Sequence, residues 1–89
     1  MEIMQLTGEM RRKLRGRASK VAATVFVGAN GITGNILNEL EYALTEKNLV
    51  KVKLPKLGSD RKKLAAELAE AAGAELIQTS GFNAVLYRD

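Results

Sequence analysis

The sequence predicts a compact two-layer α/β domain with the element order α-β-α-β-α-β-β and a mixed four-stranded sheet. The first observation is that apolar side chains recur at helical spacing in three segments, most regularly over residues 36–44. The second is that short apolar or alternating runs separate these segments, as over residues 49–54. The third is a length of 89 residues without repeats or linkers, which predicts a single domain over residues 1–89.

The first two elements are a basic helix and a short strand. Thr7 is the expected N-cap of a helix that runs to about Ala18, with Met10 and Leu14 on its apolar stripe. The apolar, β-branched run over residues 23–27 then predicts a buried strand that ends at a glycine.

The second helix and second strand have the clearest patterns. Thr33 is the expected N-cap of the helix, and Asn48 is a residue that tolerates a positive φ at a helix end. In the strand that follows, Val50, Val52 and Leu54 alternate with lysines, which is typical of a strand buried on one face.

A third helix and a hairpin complete the predicted domain. Ser59 is the expected N-cap, Gly73 the expected stop, and Leu64, Leu68 and Ala72 the core stripe of this helix. Two strands joined by a turn follow, over residues 75–79 and 84–87.

The composition argues against an enzyme. Without Cys or His, the chain lacks thiol nucleophiles, imidazole and thiolate metal ligands, and the most common general base. Asp60, Glu67 and Glu70 are the best carboxylate candidates, but they lie on a helix where ordinary charged partners are expected. We therefore predict no catalytic residue, no metal site, no cofactor and no small-molecule substrate.

Hydropathy and charge indicate the kind of partner. No apolar run approaches the ~20 residues of a membrane helix, and the start of the chain does not resemble a signal peptide, so a cytoplasmic protein is expected. The net charge is +4, with six basic residues against two acidic ones in residues 1–20 and six against one in residues 51–63. Two basic blocks favour a polyanionic partner, whereas the alternative is an ordinary solvated surface.

A glycine loop lies between the first strand and the second helix. The tetrapeptide Gly28-Ala29-Asn30-Gly31 follows an apolar strand, and a helix begins shortly after it. Backbone N–H groups and the positive end of a helix dipole converge on anions in such a position, and glycines let a phosphate approach closely. A Gly-x-x-Gly clamp of this kind binds RNA in KH domains, although the tetrapeptide alone is a weak signal. The spacing matches neither the dinucleotide-binding nor the P-loop pattern.

The whole chain carries a more specific pattern. The strings VFVGANGITGNILNELEYAL, LVKVKL and VLYR occur in this order, and with them the chain resembles the CRM (chloroplast RNA splicing and ribosome maturation) domain family from Leu6 to Arg88. A single copy is similar to the stand-alone YhbY-like members. The resemblance implies an RNA-binding fold similar to the C-terminal domain of bacterial translation initiation factor three. It also implies RNA contact through the loop, namely by Gly28, Ala29, Asn30, Gly31, Ile32 and Thr33.

The sequence departs from the family pattern inside the loop. Many members have a lysine between the two glycines, where this chain has Ala29 and Asn30. Another departure precedes the first strand, where many members have Ala-His and a proline that this chain lacks. We therefore expect the flanking basic blocks to supply most of the charge for RNA binding.

Basic residues outside the loop are the second group of candidate RNA ligands. Those of the first helix either contact phosphates or form a solvated face, and those of the second strand either line an open basic surface or protect a sheet edge. The group consists of Arg11, Arg12, Arg15, Arg17, Lys20, Lys51 and Lys53.

A few other residues are weaker candidates. Phe82 and Tyr42 could stack on a base, but a lone Phe beside a turn more often packs under it. Arg61, Lys62 and Lys63 open the third helix against the helix dipole, which indicates either another role or simple tolerance at an exposed turn. With 4% aromatic residues, backbone recognition is expected to dominate over base readout.

The leading hypothesis is a protein that binds structured RNA, namely precursor ribosomal RNA or pre-ribosomal particles, during large-subunit assembly. The resemblance also connects the family with intron splicing. Two alternatives remain open at this point: a small dimeric chromatin protein on duplex DNA, and a protein–protein module of the assembly machinery.

Overall fold

The computed structural model describes residues 7–55 and 60–89. Within these two ranges, three helices and four strands follow one another in the predicted order α-β-α-β-α-β-β. They are α1 (Gly8–Ala18), β1 (Val25–Phe26), α2 (Gly34–Lys47), β2 (Leu49–Lys53), α3 (Arg61–Ala72), β3 (Glu75–Ser80) and β4 (Asn83–Tyr87).

The four strands form one mixed sheet in the order β1-β2-β4-β3, as the sequence predicts. β1 pairs with β2 in parallel, and β4 pairs antiparallel with both β2 and β3. Lys53, at the end of β2, lies between Phe26 of β1 and Asn83 of β4. The ends of β1 and β2 therefore meet the β3–β4 turn at one end of the sheet.

Helices cover both faces of the sheet, so the domain has three layers where two were expected. On one face, α2 and α3 enclose a core that includes the fully buried Leu40, Leu68 and Leu86. On the other face, α1 packs over a second cluster that includes Val85 and Ile77. The central strands present apolar side chains to both faces, so each face requires its own cover.

α1 covers only part of its face. Leu14 and Ala18 are buried against the sheet, but Met10 is 40% exposed, so the predicted apolar stripe is shorter than expected. The helix has only 11 residues, or about 16 Å, which limits how much of the sheet it can cover.

The helix ends match the sequence signals at most positions. Thr7 and Thr33 accept hydrogen bonds from the backbone N–H groups of Met10 and Ile36, as expected of N-caps. The helix-ending residues are also as predicted, with a φ of 63° at both Asn48 and Gly73. The predicted cap Ser59 lies outside the described residues, and the N-cap that the structure assigns to α3 is Asp60.

Two predicted core assignments are wrong in detail. In α3 the buried residues are Ala65, Leu68 and Ala69, whereas Leu64 and Ala72 pack only partly buried at the margin of the core. α3 packs against α2 as well as against the sheet, so its buried residues lie on a broader face than a single stripe. In β1, Val25 is buried as predicted, whereas Phe26 is exposed.

One side chain near the end of the chain joins three elements. The Arg88 guanidinium donates hydrogen bonds to the Glu41 carboxylate and to Thr45 Oγ1 of α2, and to the Ala72 carbonyl at the end of α3. Its backbone N–H donates to the Asn48 carbonyl at 2.9 Å. Arg88 thus fastens both helices of one layer to the end of β4.

Candidate nucleic-acid interface

The glycine loop leaves the sheet beside the end of β2. The Val27 N–H donates to the Lys53 carbonyl at 2.8 Å, and the chain then turns away from the sheet. The Gly31 N–H donates to the Gly28 carbonyl at 3.0 Å, which closes a tight turn around Ala29 and Asn30. Gly31 has a φ of 72°, a conformation that L residues rarely adopt, so a glycine is required here by the backbone itself.

The outer side of the loop is open. Gly28, Ala29 and Asn30 are exposed, and a Cβ atom added at Gly28 or Gly31 would meet nothing within 4 Å. A sugar–phosphate chain can therefore approach the loop backbone without displacing a neighbouring side chain.

The last two predicted loop ligands also have structural roles. The Thr33 hydroxyl accepts the Ile36 N–H at 3.2 Å and caps α2, which begins immediately afterwards at Gly34. Ile32 is partly buried and packs against the main core. These two residues hold the loop against the start of α2, so the accessible part is the tip from Gly28 to Gly31.

The Arg11 side chain is engaged in hydrogen bonds within the protein. Its guanidinium donates to the Leu76 carbonyl at 3.1 Å and to the Glu75 carboxylate at 3.3 Å, which joins α1 to β3. Glu75 pairs with Tyr87 at the end of the sheet away from the glycine loop. Of the predicted basic ligands, Arg11 is therefore the one that the fold engages most strongly.

Four other predicted basic ligands are exposed and lie on two sides of α1, with Arg12, Arg15 and Arg17 inside the helix and Lys20 just after its C-cap. Arg12 and Arg15 are three positions apart and share one side, and Arg15 borders a cleft above the sheet. Arg17 and Lys20 line a recess on the other side, next to Thr24. None of these four cations has an ion-pair partner within residues 7–55 and 60–89.

Lys51 and Lys53 lie on the same face of the sheet as α1. Lys51 is half-buried and, with Arg15, lines a cleft of about 120 Å³ between α1 and the sheet. Lys53 is exposed at the end of β2, next to the strand that leads into the glycine loop. The structure thus connects the loop to the basic helix through these two lysines.

Phe26 is a candidate that the sequence interpretation missed. We expected it within a buried strand, but its side chain is 60% exposed, whereas Val25 and Val27 are buried. Side chains alternate along β1, so Phe26 faces the α1 side of the sheet at a point that α1 does not cover. The alternation of the run already places Phe26 on the face opposite to Val25 and Val27. The exposure of Phe26 on that face can be predicted only when the extent of α1 is known.

The two weaker aromatic candidates lie in different surroundings. The Arg61 guanidinium stacks 4.5 Å from the centre of the Phe82 ring, and its Nε donates to the Gly81 carbonyl at 3.1 Å. Arg61 therefore has a structural role at the β3–β4 turn, and one face of Phe82 is already occupied. Tyr42 is 70% exposed, but it borders a groove beside two carboxylates, Glu39 and Glu46, which disfavours a polyanion there.

A metal-binding cluster and a membrane-spanning helix are both absent from the part of the chain that the structure describes. Within residues 7–55 and 60–89, no three Asp or Glu side chains converge as metal ligands would. None of the helices in these ranges has the length and apolar character needed to cross a membrane.

Comparison with known proteins gives one consistent result. Residues 6–88 match the family model described as the CRS1 / YhbY (CRM) domain. Proteins named "Probable RNA-binding protein" from Methanocaldococcus jannaschii and Pseudomonas aeruginosa are 36% and 35% identical, over 94% and 96% of this chain. The chain spans 64% of the archaeal relative and 83% of the bacterial one. The solution structure of a Staphylococcus aureus protein matches with a TM-score of 0.83 and 33% identity, over 96% of this chain and 90% of that one.

Proposed function

This chain belongs to the CRS1 / YhbY (CRM) domain family, and from this premise we propose that it binds structured RNA through its glycine loop and the basic surface beside it. The named relatives support RNA as the partner. The observation that carries the proposal is the open loop tip, which stands next to Lys53 at the end of the sheet.

The loop and the lysines have complementary tasks in this proposal. The loop tip offers backbone N–H groups and the start of α2, which attract a phosphate without a charged side chain. Lys53, Lys51 and Arg15 then continue the contact across the sheet toward α1. Phosphate contacts of this kind position an RNA but do not read its sequence.

We further propose that the RNA is precursor ribosomal RNA of the large subunit, bound in the cytoplasm during assembly. The proposal extends what the family resemblance implies for stand-alone members. Crosslinking in cells, followed by sequencing of the attached RNA, should recover large-subunit precursor sequences. Recovery of mainly messenger or intron sequences would contradict the ribosomal role while leaving RNA binding intact.

Changing the charge at the loop tip tests the loop directly. Ala29→Glu should weaken binding to an RNA hairpin by about 5- to 10-fold, because a carboxylate about 4 Å from a phosphate is repelled by about 1 kcal/mol in water. Ala29→Lys should strengthen binding by a similar factor. Fluorescence anisotropy with a labelled hairpin measures both effects.

The matched control is Ala71→Glu. Ala71 is exposed near the end of α3, close to Arg88 and away from the loop, so the same substitution there should change affinity far less. Circular dichroism should show an unchanged fold for all three variants. Equal affinities for Ala29→Glu and Ala71→Glu would show that the loop is not the contact.

A further inference from the structure

The α1 side of the sheet has an uncovered end next to the glycine loop. Its outermost row of side chains runs across the sheet through neighbouring strand positions, and behind this row lies the cleft beside α1. We call this region the open sheet face, formed by Phe26, Lys53, Asn83 and Ser80 in the row and by Arg15, Ser19, Lys51 and Gln78 around the cleft.

Charge on the open sheet face is of one sign. Its three ionisable residues are Arg15, Lys51 and Lys53, and no carboxylate lines it among the residues that the structure describes. This contrasts with the groove beside Tyr42 on the α2 side of β1, which carries two glutamates. The open sheet face is therefore suited to a negatively charged partner.

Phe26 gives this face an aromatic surface. Phe26 is 60% exposed and is the more exposed of the two Phe residues. No ring or cation contact of Phe26 is found within residues 7–55 and 60–89. A ring that is supported by the strand and open to solvent can stack on a flat ligand at little conformational cost. Polar groups and cations surround it, so the face does not resemble an apolar protein interface.

We propose that the open sheet face binds an unpaired nucleotide of the RNA, with its base stacked on Phe26 and its phosphates near Lys53 and Lys51. This inference rests on the proposed RNA-binding function and adds a base-binding position to it. Stacking on an aromatic side chain is the usual way in which proteins hold single-stranded bases, and it requires no particular base.

The distance to the glycine loop fits a single RNA strand. Phe26 precedes Gly28 by two residues of extended chain, or about 7 Å. A phosphate at the loop tip and a base on Phe26 can therefore belong to the same short stretch of strand. The RNA would pass from the loop onto the sheet, toward α1.

The cleft supplies groups that can contact the edge of a base. Gln78 and Asn83 each carry a side-chain amide that both donates and accepts hydrogen bonds, and both line the cleft with Lys51. Stacking holds the base regardless of its identity, so any preference among bases would arise from these amides.

The test compares unpaired with paired RNA. Phe26→Ala should weaken binding to a hairpin with an unpaired loop by about 5- to 100-fold, the range seen when a stacking aromatic residue is removed. Binding to a blunt duplex of equal length should not change. Phe26→Tyr should retain the affinity for the hairpin, and Tyr42→Ala, at an exposed aromatic position on the acidic side, should have no effect.

A fluorescence measurement reports on stacking itself. The chain contains no tryptophan, so Phe26→Trp introduces a single indole at the proposed position. Its emission should be quenched when the hairpin is added and much less when the duplex is added. Tyr42→Trp, the matched control, should show no quenching with either RNA.

The outcomes separate this inference from the function on which it rests. If Ala29→Glu weakens hairpin binding but Phe26→Ala does not, the stacking position is refuted and the loop contact stands. If Phe26→Ala weakens hairpin and duplex binding equally, the stacking position is also refuted, because a duplex offers no free base. If no variant weakens binding, the proposed function itself fails.

Discussion

Raising the salt concentration from 50 to 200 mM should weaken RNA binding by roughly 300- to 2,000-fold. Each phosphate that a protein cation neutralises releases counterions, and added salt opposes this release. The loss therefore depends on how many cations reach the RNA. For this domain that number follows from the side chains that the fold leaves without an acidic partner.

Six of the predicted basic ligands have no acidic partner in the described part of the chain and are counted here as phosphate-binding cations. Arg11 is paired with Glu75, so we do not count it among the free cations. The others lack an ion pair in the ranges that the structure covers, 7–55 and 60–89, and they are Arg12, Arg15, Arg17, Lys20, Lys51 and Lys53. Six contacts give a slope of log affinity against log salt of about −4 for single-stranded and about −5 for duplex nucleic acid.

Single substitutions show whether these six act together. Arg15→Ala should reduce the slope by about one unit and weaken binding to every RNA sequence alike. Lys13→Ala is the control, because Lys13 already has an acidic partner, Glu9, four positions earlier in α1. A slope near zero for the unmodified protein would mean that the basic surface does not contact phosphates.

Leu86→Ala should lower the free energy of unfolding by about 2–5 kcal/mol. Leu86 is fully buried in β4, which pairs with β2 on one side and with β3 on the other. Its neighbours on these two strands are Val50 and Leu76. A domain of this size has a total stability on the order of 4–13 kcal/mol, so the variant should lose a large part of it. Thermal unfolding should shift downward by about 10 °C or more.

The control is a second substitution at Leu86 that conserves the side-chain volume. Leu86→Met should cost less than about 1.5 kcal/mol, because a flexible side chain of similar size refills the site. Urea unfolding followed by circular dichroism measures both variants. A loss below about 1 kcal/mol for Leu86→Ala would show that β4 is not the centre of the core.

Local features of the fold could be predicted from the sequence because their causes are local. Thr7 and Thr33 cap helices through hydrogen bonds to residues three positions away, so a short string is enough to identify them. The alternation in β2 likewise places Val50 and Val52 in the core and Lys51 on the other face. The element order and the mixed four-stranded sheet were likewise predicted from the periodicity and alternation of successive segments.

Features that depend on distant parts of the chain could not be predicted in this way. Periodicity indicates that α1 has an apolar stripe but not which face of the sheet it covers. The exposure of Phe26 follows from where α1 ends, and the engagement of Arg11 from contact with Glu75, 64 residues away. Each of these is decided by tertiary packing.

The candidate site also combines features that follow from the local sequence with features that depend on tertiary packing. The glycine loop stands out in the sequence between a strand and a helix, and the structure places its tip in an exposed turn. The proximity of Lys53 to the loop required the parallel pairing of β1 with β2, and the cleft between Arg15 and Lys51 required α1 to lie across the sheet.

The position of β4 has a consequence for the order of events during synthesis. β4 is the last strand in the chain, yet it lies in the middle of the sheet, and β3 reaches the rest of the sheet only through it. A nascent chain that ends before residue 83 cannot join β3 to β2, and it leaves the core of α2 and α3 without Leu86. Stable folding of the domain therefore requires β4 itself, and the proposed RNA-binding surface is complete only after β4 has joined the sheet.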